Sequence, residues 1–451
     1  MDNNSADIII IGGGAAGLLA GAGAARTLAE SSAAQTGRVL ILEKMTRPGR
    51  KIMLTGKGRC NITNVKNWTD FQRHIHPKPN FLKPAFYNLT SEAMLASLNE
   101  AGLETVVERG DRAYPASYVA ADVVDALERT TRESGAELLC GKEVSGTVAM
   151  TKDGIEMFKV NCADGTEYTC RKLIICTGGL SYPRTGSTGD GYKWAQHFGH
   201  QPKPCLPSLT AMVPKGYKQT AGTKPASGLK GHIARETPLS ELGESLCGNS
   251  LKNVNLALTV DGNVVMEEFG DLDFTDGGLE GPIGFKLSRR CVTALANGYK
   301  VSLTMDLKPA VSVDSLNARI NNLWNDICHD RRSQGRQYRD KFKVLITKLM
   351  PSSLIVPFMK MNPAADHKTL AKYLKAWKFD VEGYVGYERC VITAGGVAQE
   401  EVTAKTLESK LVPGLYFAGE LLDLDGDTGG YNLQIAFSTG YLAGISAAKA
   451  L

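Results

Sequence analysis

The chain has 451 residues, a formal net charge of +5, 43% hydrophobic residues and 22% charged residues. This length exceeds one ordinary core, so two or three domains are expected, and the composition excludes gross disorder. The mildly basic charge does not by itself indicate nucleic acid. Ten scattered cysteines without a CxxC pair argue against a zinc ribbon and favour a reduced, cytoplasmic protein. No uninterrupted apolar stretch is long enough to span a bilayer, so no membrane partner is expected.

The first 43 residues predict a βαβ unit. Residues 7–11 form a continuous apolar, β-branched run, which is typical of a strand buried on both faces. A glycine turn and an Ala/Leu-rich helix to about Glu30 follow. A loop over residues 31–37 then leads to a second buried strand at residues 38–43.

A GxGxxG motif, formed by Gly12, Gly14 and Gly17, lies between that strand and that helix. The first glycine permits the tight turn, the second lets backbone N–H groups approach a pyrophosphate, and the third lets helix and strand pack closely. Glu43 ends the second strand, where its carboxylate would bind both adenosine ribose hydroxyls and disfavour a 2′-phosphate. The motif therefore predicts dinucleotide binding, with a glycine-rich turn that holds no ligand as the alternative.

Later elements follow from periodicity and turn signals. Residues 206–310 alternate apolar and polar residues, which predicts an antiparallel barrel or sandwich, and residues 311–377 have a helical pattern. The other predicted elements are helices near 91–101 and 119–135, a hairpin-like stretch at 138–170, strands at 173–176 and 385–392, and a strand, glycine loop and helix over 410–451.

These elements predict an α/β architecture that is split in the sequence. A Rossmann-like, two-dinucleotide-motif domain would comprise residues 1–205 plus 395–451. A β-barrel-like domain, residues 206–310 plus 378–394, and a small helical subdomain, residues 311–377, would be inserted into it.

Three further fragments favour FAD over NAD as the dinucleotide. A strand followed by Thr177, Gly178 and Gly179, called the TGG turn below, is the pattern with which two-motif flavoproteins bring a second loop to the pyrophosphate. A C-terminal strand ends at Gly419 and Glu420, whose carboxylate could reach the ribityl or phosphate region. Residues 429–434 open a helix whose N-terminus would stabilise negative charge on a reduced flavin.

Residues 50–64, RKIMLTGKGRCNITN, resemble the signature (K)-(S/T)-G-x-G-R-C-N-x-T-N of a bacterial flavoprotein family. Its members are aminoacetone-oxidase-family FAD-binding enzymes, with one branch of 3-dehydro-bile-acid reductases. The likeness continues at residues 112–115, 177–191, 394–397 and 415–440. It implies an FAD domain with inserted barrel-like and helical domains, and non-covalent FAD.

The resemblance also implies which residues contact FAD. Val144 would contribute backbone groups that clasp the adenine, and the loop at residues 57–61 contains no histidine for a covalent flavin link. The implied contacts are Ala15, Ala16, Glu43, Lys44, Gly58, Arg59, Cys60, Asn61, Val144, Gly419, Glu420, Asn432 and Leu433.

The reacting groups are less strongly indicated. Tyr182 as a proton donor and Arg184 as an anion clamp are the catalytic candidates, because both follow the TGG turn; the alternative is loop packing or contact with the FAD phosphates. Cys60 could be a redox thiol, but a small buried packing group is favoured. The spacing of the seven histidines suggests no metal site.

One loop departs from the family pattern. Relatives have F-T-H-x-G-x-S-G-P where this chain has FTDGGLEGP at residues 274–282. If the loop lines the substrate cavity, Asp276 and Glu280 would favour a cationic or hydroxyl-bearing substrate. The alternative is an ordinary turn with both acids in water.

The sequence thus predicts an FAD-dependent oxidoreductase that acts on a small organic molecule by hydride transfer through flavin N5. A reductase is favoured, and because there is one well-placed GxGxxG, NAD(P)H would dock transiently. The alternatives are an O₂-using amine oxidase and a non-catalytic or RNA-directed flavoprotein. The basic stretch at residues 331–348 could hold RNA, but without aromatic interleaving a solvated helix face is favoured, so no nucleic-acid partner is expected.

Overall fold

The computed structural model describes residues 4–31, 37–152, 154–220 and 228–451. Most of the loop predicted at residues 31–37 lies outside this range. The chain forms two compact units, Met1–Leu206 with Ile392–Leu451, and Pro207–Val391. Within the described ranges, no helix combines the length and apolar character needed to cross a membrane.

The N-terminal segment alternates strands and helices. Its elements are β1 Ser5–Ile11, α1 Ala15–Ser31, β2 Val39–Glu43, β3 Thr63–Asn64, α2 Trp68–Phe71, β4 Ile75–His76, α3 Lys83–Asn88, α4 Ser91–Glu100, β5 Thr105–Glu108, β6 Arg112–Pro115, α5 Ala120–Glu133, β7 Glu137–Cys140, β8 Val144–Lys152, β9 Ile155–Cys162, β10 Glu167–Ile175, α6 Asp190–His197 and β11 Lys203–Ser208.

Strands dominate the first half of the middle segment and helices the second. Its elements are β12 Met212–Pro214, β13 His232–Ile233, α7 Glu241–Leu246, β14 Ser250–Val260, β15 Asn263–Thr275, β16 Gly278–Glu280, α8 Gly281–Ala296, β17 Val301–Asp306, α9 Val313–His329, α10 Tyr338–Thr347, α11 Ile355–Met361, α12 Leu370–Lys375 and β18 Trp377–Val385. The C-terminal segment adds β19 Ile392–Gly396, β20 Leu415–Phe417, β21 Asp425–Gly426 and α13 Tyr431–Lys449.

The central sheet of the first unit joins both ends of the chain. Strands β7, β2, β1 and β10 are adjacent in that order and parallel. The first half of β10 also pairs with β9, antiparallel, and its second half pairs with β20, parallel. This is the predicted Rossmann-like arrangement, and it explains the apolar runs, since Ile8, Ile9 and Ile10 are fully buried.

Helices α1 and α13 pack backbone to backbone. A side chain at Gly440 would overlap the carbonyl oxygen of Ala16, and one at Gly444 would overlap that of Ala20. Only glycine permits this approach, so the glycine and alanine pattern of the two helices encodes their contact. The C-terminal helix is thereby held against the helix that follows the glycine motif.

The second unit contains a closed barrel. Strands β12, β16, β15, β14, β17 and β18 pair in a ring that closes between β18 and β12, and β13 adds to β18. The alternating residues of β14 and β17 point inward to a core that includes Leu256, Leu258 and Leu303. Helices α9 to α12 contribute Ile320 and Phe358 to the same core. The division of this unit into a barrel domain and a separate helical domain stays a prediction.

One predicted strand is wrong. Residues 385–392 are not continuous strand, because β18 ends at Val385 and β19 begins at Ile392. The intervening residues turn back, with the N–H groups of Arg389 and Cys390 both donating to the Gly386 carbonyl oxygen. The apolar residues around this turn suggested a strand that the local backbone hydrogen bonds exclude.

Candidate functional site

Four of the predicted cofactor fragments lie at the carboxyl ends of parallel strands in one sheet. Gly12 follows β1, Glu43 ends β2, Thr177 follows β10 and Gly419 follows β20. In open α/β sheets, ligands bind at this edge where the strand order reverses, which here is between β1 and β10. Fragments more than 400 residues apart in the sequence therefore meet at the expected edge.

The glycine loop has the geometry that a pyrophosphate requires. Gly12 has a φ of +104°, and a side chain there would come within 2.6 Å of the Cys176 carbonyl oxygen. A side chain at Gly17 would overlap the Gly12 carbonyl oxygen, whereas the space around Gly14 is open for 4 Å. The first turn of α1, with Ala15 and Ala16, thus presents free space at a helix N-terminus, which suits a phosphate.

Glu43 braces this loop as well as ending its strand. Its carboxylate accepts hydrogen bonds from the backbone N–H groups of Gly13, at 2.6 Å, and Met45, at 2.7 Å. Burial raises the pKa of Glu43, and these two hydrogen bonds partly oppose the shift. The backbone of Lys142, just before the predicted adenine contact Val144, donates to the Glu43 carbonyl oxygen. The predicted ribose and adenine contacts are therefore neighbours.

Lys44, directly after β2, links this strand end to the segment TGSTGDG at residues 185–191. Its ammonium group lies 2.6 Å from the hydroxyl of Thr188 and 2.9 Å from the carboxylate of Asp190. The hydrogen bonds from Thr188 and Lys44 hold the pKa of Asp190 below its usual range, although burial acts in the opposite direction. Lys44 stays a predicted FAD contact, but its charge is already paired.

Glu420 is the centre of a polar cluster. The sequence predicted Glu420 itself as an FAD contact but not its partners. Its carboxylate accepts from the Ser181 hydroxyl at 2.6 Å and from the Thr393 N–H at 2.8 Å, and it forms an ion pair with Lys51. Lys51 also donates to Ser181. A side chain at Gly179 would meet Glu420, so the TGG turn packs directly on this cluster. Lys51 lies within the family-like signature, but its partner is 369 residues away.

The loop at residues 56–61 has unusual backbone angles. Cys60 has a φ of +56° and is completely buried. Burial raises the pKa of its thiol to about 12, so the group stays protonated and the packing role is favoured over a redox role. Arg59 is exposed and lies over the ring of Tyr114, 5.0 Å from its centroid. Gly58 is exposed, and Asn61 is half-buried beside Cys60.

The N-terminus of α13 is braced by one of the predicted contacts. The Asn432 amide accepts from the Gly426 N–H and donates to the Gly426 carbonyl oxygen, both at 2.7 Å. The side chain of Asn432 thus fixes the preceding loop, while Leu433 is half-buried in the same turn. A side chain at Gly419 would come within 2.8 Å of the Ala16 Cβ, so this edge is close to the glycine motif.

Two histidines bind Asp427 in the loop before α13, a contact that the sequence did not predict. His74 Nδ1 lies 2.9 Å from one oxygen of Asp427, and His76 Nε2 lies 3.1 Å from the other. The His74 ring also stacks on Tyr431, with centroids 4.4 Å apart. Burial acts to raise the pKa of Asp427, but the two histidines outweigh it and hold that pKa at about 2.

The two catalytic candidates lie in one turn. Tyr182 is half-buried with a φ of +51°, and the exposed Arg184 lies in the short 3₁₀ helix Pro183–Thr185 that follows it. The left-handed backbone at Tyr182 is strained for a bulky residue, and such strain is frequent at functional sites. Their catalytic roles stay predictions.

Comparisons with known proteins identify the family of the chain. The model of the family described as HI0933-like protein Rossmann domain matches residues 6–446. The chain belongs to this family. It is 31% identical to a 3-dehydro-bile acid delta(4,6)-reductase of Clostridium scindens over 98% of both chains. It is 29% identical to a ribosomal RNA dihydrouridine synthase of Haemophilus influenzae, again over 98% of both.

Among solved structures, a quinol fumarate reductase of Escherichia coli aligns with 99% of this chain and 70% of its own. The identity is 14% and the TM-score 0.46, too distant a likeness to bear on function. Family membership confirms the predicted Rossmann-like FAD-binding fold and identifies the protein as an FAD-dependent oxidoreductase. The individual FAD contacts stay predictions.

In the second unit, the departing loop has a partner that the sequence did not reveal. Asp276 and Glu280 both bind Arg389, at 2.6 and 2.5 Å. The hydrogen bond from Arg389 holds the pKa of Asp276 below its usual range, against the effect of burial. The alternative of an ordinary turn with both acids in water is wrong for Glu280, whose side chain is 11% exposed and paired with Arg389. The role of the loop in lining a substrate cavity stays a prediction. Among the described residues, no group of His, Cys, Asp and Glu is placed to hold a metal ion.

Proposed function

We propose that this protein is an FAD-dependent reductase that saturates carbon–carbon double bonds conjugated to a carbonyl group in a small organic molecule. The observation that carries the proposal is the meeting of the glycine loop, the TGG turn and the Glu420 cluster at one sheet edge, in a chain whose full-length relatives include two named for the reduction of such bonds. The name of the Clostridium relative refers to reduction of double bonds in a 3-dehydro compound. Dihydrouridine, in the name of the Haemophilus relative, is uridine with one conjugated double bond saturated.

The residues at the edge fit FAD by their chemistry. Glu43 would hold the adenosine ribose, the open N-terminus of α1 would hold the pyrophosphate, and the N-terminus of α13 would offer partial positive charge to the flavin. Bound FAD would supply the hydride from N5 of the reduced flavin. Tyr182 would hold the proton that completes the reduction, and Arg184 would bind an anionic group of the substrate.

We further propose that NAD(P)H is the electron donor and that it docks transiently. The sequence has a single GxGxxG between strand and helix, which FAD would occupy. All ten cysteines are free, which supports a cytoplasmic location where NAD(P)H is abundant.

An anaerobic stopped-flow survey tests the proposal. NADH and NADPH are each mixed with the oxidised protein, and the reduced protein is then mixed with a conjugated enone or with the matched saturated ketone. We expect one nicotinamide to bleach the flavin and only the enone to restore its colour. Reduction by an amine, with release of peroxide in air, would support the amine oxidase instead.

Tyr182→Phe tests the proton donor within the same experiment. Loss of a positioned general acid lowers a rate by about 10²-fold or more. We expect this loss in the enone step and none in flavin reduction by NAD(P)H. Tyr87→Phe, which removes a hydroxyl from an exposed tyrosine, is the matched control. Equal rates for the two variants would exclude Tyr182 as the donor.

The second candidate function is reduction of uracil in RNA. The C5–C6 double bond of uracil is conjugated to a carbonyl group, so the same chemistry applies. An exposed basic surface on α10 and the turn before it favours this candidate. Incubation with a ribosomal RNA transcript, FAD and NAD(P)H, followed by mass spectrometry of the nucleosides, would detect dihydrouridine if this candidate is correct.

A further inference from the structure

A concentrated positive charge lies on the second unit. Between residues 331 and 343 there are six basic side chains and one acidic one, Asp340, a surplus equal to the net charge of the whole chain. We call these six residues the basic surface; they are Arg331, Arg332, Arg336, Arg339, Lys341 and Lys343.

The basic surface is open to solvent and almost unpaired. Five of its residues are exposed and Lys341 is half-buried. Within the described part of the chain, only Arg332 has a carboxylate within 4 Å, that of Asp330 at 3.9 Å. Arg339 and Lys343 are four residues apart on α10, where like charges destabilise a helix. A solvated helix face normally mixes both signs, so this arrangement indicates a polyanionic partner.

Aromatic rings border the same surface, and two of them, Tyr338 and Phe342, lie among its basic residues in the sequence, so the expectation of no aromatic interleaving is wrong. Tyr338 lies between Arg336 and Arg339, and the residue is 47% exposed. Trp324, from α9, lies 5.1 Å from the Tyr338 ring, and His367 stacks on Trp324 at 4.5 Å. His367 also binds the Tyr338 hydroxyl through its backbone N–H and Nδ1, both at 3.1 Å. The Tyr338 ring is therefore held in place by Trp324, His367 and Phe342, while the residue remains exposed to solvent.

We propose that the basic surface and Tyr338 bind single-stranded RNA. The guanidinium and ammonium groups would contact successive phosphates, and an unpaired base would stack on the exposed part of the Tyr338 ring. A single strand is favoured over a duplex because a base within a duplex cannot stack on a side chain without leaving its pair. The choice of RNA over DNA rests on the second candidate function. The binding site itself rests only on the basic surface and Tyr338.

Binding is measured with the full-length FAD-loaded protein and a fluorescent, uridine-rich single-stranded RNA, without any electron donor. The triple variant Arg331→Gln, Arg336→Gln, Arg339→Gln removes three exposed charges that have no carboxylate partner. Each phosphate contact contributes about 0.7 to the slope of log affinity against log salt, so the slope should fall by about 2. At low salt, we expect the dissociation constant to rise by at least about tenfold.

The matched control neutralises three exposed basic residues elsewhere, with the variant Arg26→Gln, Lys152→Gln, Lys300→Gln. It has the same net charge as the test variant, so its affinity and salt slope report the general electrostatic effect. Affinity near that of the wild type is expected. An equal loss in both triple variants would show a diffuse charge effect and would overturn the site.

Tyr338 separates stacking from charge. Tyr338→Leu should weaken binding about tenfold without changing the salt slope, since base stacking on an aromatic ring does not release ions. Tyr338→Phe keeps the ring and should retain the affinity, although it loses the hydrogen bonds to His367. Equal affinity of the wild type and Tyr338→Leu would refute the stacking contact.

Two further outcomes would overturn the proposal. One is the absence of RNA binding together with sedimentation on phosphatidylserine vesicles, which would make the surface a membrane contact. The other is equal affinity of the wild type and the triple variant. Enone reduction is assayed in parallel and should not change, so failure of RNA binding is distinguishable from failure of the reductase proposal.

Discussion

Replacement of Glu43 by alanine is the most direct test of the cofactor edge. In the structure, the Glu43 carboxylate accepts hydrogen bonds from the backbone N–H groups of Gly13 and Met45. Glu43 is the last residue of β2, the strand beside the glycine motif. We expect Glu43→Ala to weaken FAD retention strongly and to leave the turnover of fully loaded protein nearly unchanged. The ribose and the reacting ring are at opposite ends of FAD, so the two effects separate.

The magnitude follows from the hydrogen bonds that are lost. A charge-assisted hydrogen bond contributes about 1.5–3 kcal/mol, so loss of even one to the ribose raises the FAD dissociation constant about 10- to 150-fold. Loss of both would raise it further. The two backbone N–H groups also lose their acceptor, which lowers the free energy of unfolding of the apoprotein and should appear as a lower melting temperature.

Glu43→Gln is the matched control, because it keeps an oxygen that can accept from Gly13 or Met45 but removes the charge. FAD affinity is measured by fluorescence titration of the apoprotein, and turnover is normalised to bound flavin. We expect the order wild type, Glu43→Gln, Glu43→Ala in affinity. An unchanged FAD affinity in Glu43→Ala would refute the ribose assignment, and a large fall in normalised turnover would refute the separation of the two ends.

Three other predictions follow from the structure. The purified protein should be yellow and release intact FAD on heat or acid denaturation; flavin that precipitates with the chain would contradict non-covalent binding. Asp427→Asn should cost about 2 kcal/mol of unfolding free energy at neutral pH. The wild type should lose the same increment as the pH falls from 3.8 towards 2, in a urea titration across pH. Glu280→Gln should lower the melting temperature more than Asp276→Asn, since their side chains are 11% and 59% exposed.

The cofactor edge could be predicted because its signals are local. A buried strand, a glycine turn and a following helix are adjacent in sequence, and each strand end carries its own predicted FAD contact. Gly12, Glu43 and Gly419 therefore appear at strand ends as expected. The barrel was also predictable as a class, since β14 and β17 alternate buried and less buried residues along their length.

The polar clusters could not be predicted, because their members are far apart in sequence. Lys51 and Glu420 are 369 residues apart, and His74 and Asp427 are 353 apart. No periodicity links such residues, and only the packed sheet brings them together. A local segment can therefore show that a titratable residue such as Glu420 lies beside a glycine turn. It does not show the charge state of that residue, which depends on partners elsewhere in the chain.

The loop at residues 274–282 shows why those partners decide function. Read alone, two acids between glycines suggest an acidic cavity wall. Arg389, more than 100 residues later, binds both acids and also the Thr275 hydroxyl, at 3.2 Å. The three side chains together carry one negative charge rather than two, and the buried member, Glu280, is already satisfied. A preference for cationic substrates therefore cannot be inferred from the two acids. Where the family pattern that the sequence resembles has a histidine and a serine, this loop has an ion-paired cluster at the turn into α8.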